Sequence, residues 1–74
     1  MERRVPLSTR VIAGATLEVS TMGGYSVHVG GDYIGYVHAG IGDQWHAYRC
    51  RGDGPDEYLG HFRMDDAVGR ITRA

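Results

Sequence analysis

Twelve glycines in 74 residues cut this chain into short pieces, a spacing that favours strands and turns over long helices. Between the glycines the side-chain period is mostly two. "TLEVS" places Leu17 and Val19 on one face, and "YSVHV" alternates Tyr25, Val27 and Val29 against Ser26 and His28. "YIGYVHA" (residues 33–39) reads as a third strand, "WHAYRC" (45–50) as a fourth and "YLGHF" (58–62) as a short last one. The pieces between them have turn chemistry: Gly23-Gly24, "GGD" at 30–32, "GIGD" at 40–43 and the polar loop "RGDGPDE" at 51–57.

The period changes once, near the end. Met64, Val68 and Ile71 recur at i, i+4 and i+7, one apolar stripe of a helix. Asp65 and Asp66 fall in its first turn and Arg70 and Arg73 near its end, each complementing the helix dipole. Gly69 inside this helix costs about 1 kcal/mol relative to alanine, which close packing on a sheet would explain. The expected fold is therefore α+β: a small antiparallel sheet of three to five strands with one C-terminal helix packed on one face. Residues 1–10 hold Arg3, Arg4, Pro6 and Arg10 with little periodicity and are expected to form a flexible N-terminal arm, leaving 11–74 as a single domain.

Composition narrows the function classes. A chain this short buries a modest core, and domains of this size often gain stability by self-association, so a homodimer is one expectation. The formal net charge is −1, so no global positive field draws the chain to nucleic acid or anionic lipid. All eight basic residues are arginine, a bias that a GC-rich genome accounts for. Cys50 is the only cysteine, which excludes an intrachain disulfide and a CxxC zinc pattern. "MERRVPLSTR" carries the charge of a signal peptide's first region without the apolar stretch that should follow, and no run is long enough to span a bilayer. A soluble cytoplasmic protein without membrane contact is expected.

Trp45-x-Ala47, a loop, then "YLGHF" leading into a helix with Ala67 and Val68 resembles the AP2-type DNA-binding domain. It is also similar to the amino-terminal arm-binding domain of phage-type tyrosine integrases, and the resemblance covers roughly residues 33–71. It implies a three-stranded antiparallel sheet backed by a helix, with the open sheet face entering the major groove through arginines that read guanine edges and phosphates. It also implies an origin as a small accessory protein of a phage or mobile element. If Trp45, Ala47, Leu59 and Phe62 face the helix, the opposite face of this chain carries His46, Tyr48, Cys50 and Tyr58, with Tyr36 and His38 from the strand before and His28 from the one before that. That face is tyrosine and histidine where the family has arginine.

Tyr36, His38, His46, Tyr48 and Tyr58 are therefore the candidate binding residues, joined by Arg49 and Arg51 at one strand end. Tyrosine offers rigid amphipathic contact area and is enriched in interfaces, whereas strand propensity alone also places tyrosines on an exposed face. A third reading has the segment around 11–19 covering that face. His28, His38, His46 and His61 lack HxH or HxxxH spacing, so no metal site is expected. Cys50, flanked by Arg49 and Arg51, has no positioned base in the pattern, and "VGGDYIG" lacks the helix a phosphate loop needs. Neither catalysis nor a cofactor is expected. The reading is a binding module whose partner is a protein or a second copy of itself. The alternative is a DNA-binding domain of the AP2 or integrase-arm kind using the same face with its arginines.

Overall fold

The computed structural model describes residues 9–20 and 23–74. Its elements run β1 (Thr9–Ile12), β2 (Ala15–Ser20), β3 (Gly24–Val29), β4 (Asp32–Ala39), β5 (Trp45–Arg49), β6 (Glu57–Phe62) and α1 (Met64–Arg73). Each strand pairs antiparallel with the next, giving one six-stranded sheet in the order β1-β2-β3-β4-β5-β6. The α+β class and the C-terminal helix agree with the sequence. Three to five strands undercounts the sheet by β1.

That strand is short, and its turn is disguised. Ile12 faces Ala15 across a two-residue turn in which Ala13 (φ 53°) and Gly14 (φ 80°) both take positive φ. Asn-Gly or Asp-Gly is the usual marker of such a turn, and alanine hides it. Thr9 and Arg10, read from sequence as the end of the arm, are paired in β1 with Glu18 and Leu17. Residues 1–8 of the expected arm lie outside the described residues, as do 21 and 22 in the β2–β3 turn.

Helix α1 packs against β4, β5 and β6. Its buried Ala67, Val68 and Ile71 join Ala15, Leu17, Val27, Val37 and Ala47 of the sheet in one fully buried cluster. Two strands carry an extra residue. Val27 faces Gly35 and His28 faces Tyr33, leaving Ile34 unpaired in β4. Ala47 faces Gly60 and Tyr48 faces Tyr58, leaving Leu59 unpaired in β6. Both unpaired residues are β-bulge residues, and both side chains pack against the core. Gly60, at φ 121°, takes a backbone conformation that a side chain would strain.

No side chain caps the helix N-terminus at Arg63. Its C-terminus is held from the sheet, where Arg49 Nη1 donates to the carbonyl oxygens of Ile71 (2.6 Å) and Ala74 (2.9 Å). A guanidinium beside the last carbonyls of a helix satisfies orphan acceptors and complements the dipole. Arg49→Met should lower stability by about 1–2 kcal/mol. It should also raise hydrogen-exchange rates at Ile71 and Thr72 ahead of those in β4 and β5. Equal rates across helix and sheet would count against this role. No helix among the described residues is long and apolar enough to cross a membrane.

Candidate functional site

Residues that face each other on neighbouring strands share a side of the sheet. The pairing therefore draws three rows on the face turned away from α1. Glu18, Ser26, Tyr36, Tyr48 and Tyr58 form the first, across β2 to β6. His38, His46 and His61 form the second, across β4 to β6. Val11, Thr16, His28 and Tyr33 form the third, across β1 to β4. All four histidines and four of the five tyrosines of the chain thus stand on one side, which we call the open face.

The tyrosines pack on one another. Tyr36 and Tyr48 stack with ring centroids 4.7 Å apart and planes 13° from parallel, and Tyr58 tilts against Tyr48 at 5.1 Å. Stacked pairs of this kind contribute about 0.5–1.5 kcal/mol beyond their buried area. The Tyr58 hydroxyl and His46 Nδ1 share a hydrogen bond of 2.8 Å, and His61 Nδ1 donates to Gln44 Oε1. His28 lies against Tyr33, with Nε2 3.2 Å from Ser26 Oγ and 3.9 Å from Glu18 Oε1. Beside this row, Ile41, Gln44, His46 and His61 line an open cavity of about 250 Å³. The face remains accessible, with Tyr33 51% and Tyr58 49% exposed.

Two phenols are perturbed. Desolvation by burial pushes Tyr33 well above the ordinary tyrosine value, with the neighbouring Cys50 thiol as the next cause. Tyr36 is raised by desolvation, then by the negative charge of the nearby Asp56. The fold thus favours the neutral phenols. Their stabilising contribution is complete below the unfolded value of about 10 and is lost as pH rises through their higher folded values. In an ultraviolet titration of the folded chain, the latest phenolates to form should vanish in Tyr33→Phe and Tyr36→Phe. All five phenols titrating together near the ordinary value would contradict this.

Of the residues singled out from sequence, Tyr36, His38, His46, Tyr48 and Tyr58 are brought together. Arg49 is not among them, because it faces Gly35 on the helix side and is spent on the carbonyls of α1. Arg51 is paired with Glu57. Sequence reasoning left Tyr33 and His61 off the open face. The clue was a glycine inside each strand. "YIGY" and "YLGH" share the pattern Tyr-aliphatic-Gly-aromatic, and in both a bulge sends the aliphatic residue to the core and returns the next aromatic to the open face.

The segment 11–19, which one of the three sequence readings laid over this face, lies in the sheet as parts of β1 and β2 and the turn between them. Among the described residues no group of three or more His, Cys, Asp or Glu side chains is placed to hold a metal ion. Compared with known protein families, curated protein sequences and solved structures, the chain matches none.

Proposed function

We propose that this chain is a non-enzymatic binding module that engages a protein partner, or a second copy of itself, through the tyrosine–histidine face. One observation carries the reading. Four tyrosines and every histidine occupy a single sheet face that no described element covers, while the helix occupies the other. Large aromatic clusters open to water mark interaction surfaces, and tyrosine combines apolar area with a polar tip at little conformational cost. The cavity between Ile41, Gln44, His46 and His61 offers a socket for one partner side chain.

Duplex binding by this face would need cations on it. Each of the six described arginines is placed elsewhere: Arg10 over the Tyr25 ring, Arg49 on the helix carbonyls and Arg51 with Glu57. Arg63 lies 3.7 Å from Asp43, Arg70 stands over Phe62, and Arg73 ends the helix. Arg3 and Arg4 lie outside the described residues.

Two measurements test the reading together. The mass of the chain by light scattering, and its capture of a defined partner where one is in hand, should change in Tyr48→Ala and His46→Ala while the far-ultraviolet circular dichroism stays the same. Labelled duplex DNA should give no anisotropy change at either about 50 or about 200 mM salt, the range over which phosphate-driven binding falls steeply. Salt-sensitive DNA binding would replace this proposal with the nucleic-acid one.

A further inference from the structure

We infer that the chain carries a second binding site, a cationic groove between the end of α1 and the outer strand β6, which takes an extended acidic peptide segment. The inference concerns the helix side of the sheet and does not rest on the open face. Leu59, Arg70, Arg73 and Ala74 line this groove, an open cavity of about 220 Å³. β6 is the last strand of the sheet, so among the described residues no further strand closes the groove from outside. The two guanidinium groups are held in place. Arg70 Cζ stands 4.9 Å from the centroid of the Phe62 ring. Arg73 lies back along its own helix, with Nη1 3.0 Å from where a Cβ of residue 69 would stand.

That contact accounts for Gly69. A glycine inside a helix is unfavourable, and the sequence offers close packing on the sheet as its reason. The three atoms nearest to a Cβ at this position, at 3.0, 3.6 and 3.6 Å, all belong instead to the Arg73 guanidinium. An arginine left to solvent needs no such seat. Nor does the helix dipole require these two cations, because Arg49 already donates to the carbonyl oxygens of Ile71 and Ala74. Among the described residues no carboxylate forms an ion pair with Arg70 or Arg73, Asp66 one turn before Arg70 included.

Two guanidinium groups beside an apolar wall suit carboxylates, which each can bind in a fork. Residues three apart on a helix surface stand about 5–6 Å apart, and alternate side chains of an extended strand about 6.6 Å. Carboxylates at alternate positions of a peptide laid along β6 therefore meet both arginines. Free phosphate would meet the charges alone, whereas a peptide also covers Leu59 and the open edge of β6.

The test is a nuclear magnetic resonance titration of the full chain with three probes: a synthetic peptide carrying glutamate at two alternate positions, the same peptide with glutamine there, and inorganic phosphate. The glutamate peptide should shift the Leu59 and Gly60 amides and the Nε–H signals of Arg70 and Arg73 while leaving Tyr36 and Tyr48 in place. It should bind about tenfold more tightly than the glutamine peptide. Arg70→Gln and Arg73→Gln should each weaken it several-fold. Gly69→Ala should weaken it likewise by displacing the Arg73 guanidinium, yet raise the urea midpoint, since alanine is the better helix former. A lowered midpoint with unchanged binding would overturn the seating of Arg73 and the inference with it. Equal binding of the glutamine peptide, or of phosphate at the same signals, would overturn the acidic peptide as occupant. Absence of shifts at Leu59, Arg70 and Arg73 with every probe would overturn the groove, while the mass of Tyr48→Ala continues to test the open face separately.

Discussion

Ile71→Ala should destabilise the chain by about 2–5 kcal/mol, the range for emptying a buried isoleucine site. Small domains hold only about 3–5 kcal/mol in total, so a substantial unfolded fraction in buffer is expected. Ile71 is fully buried at the end of the helical stripe and is among the largest side chains in the core. Two things make relaxation into the cavity difficult. The helix end beside it is tied to β5 by Arg49, and the sheet beneath it is continuous on both sides of β4. Urea unfolding followed by circular dichroism measures the effect. A midpoint within error of the parent would mean that Ile71 is not the keystone its burial indicates.

Gly35→Ala is the second large effect and comes from the opposite fault, too much volume. A Cβ at position 35 would sit 2.9 Å from Ile71 Cγ2 and closer still to the carbonyl oxygen of Tyr48. The first neighbour is a side chain that can turn. The second is backbone of the paired strand β5, which can yield only by separating the strands. Overpacking of this kind typically costs about 1–3 kcal/mol, and the backbone clash places Gly35→Ala at the upper end of that range. Adding Ile71→Ala to Gly35→Ala should not restore stability, because the clash with Tyr48 remains. A rescued double variant would show that side-chain crowding alone governed the site.

Much of this architecture was legible because two periods are written cleanly in the sequence. Alternation in "YSVHV" and "WHAYRC" gave β3 and β5, and the Met64, Val68, Ile71 spacing gave α1. The open face was legible for the same reason, since one residue in two must point away from the helix. What stayed hidden is what period two cannot carry. Tyr33 and Tyr36 are three apart yet share a side, as do Tyr58 and His61, and only a bulge reconciles those spacings. β1 escaped because four residues are too few to establish an alternation and Ala13 occupies a turn position that usually declares itself with Asn, Asp or Gly. Arg49 is a candidate binding residue in sequence as a cation at a strand end, whereas its register with Gly35 sends it to the helix. A strand-end arginine looks the same in sequence whether it reaches a ligand or a helix carboxyl end.

The division of aromatic residues between the two sides has an optical consequence. Trp45, the single tryptophan, is on the helix side, half-buried against Tyr25 with ring centroids 5.7 Å apart. Four tyrosines are on the other side. Light that excites only indole therefore interrogates one surface, and the phenol absorption band is weighted to the opposite one. A partner that docks on the open face should alter the phenol difference spectrum while leaving indole emission nearly constant, whereas unfolding should change both. The chain carries its own two-channel reporter, in which occupancy and integrity can be read separately without attaching a dye.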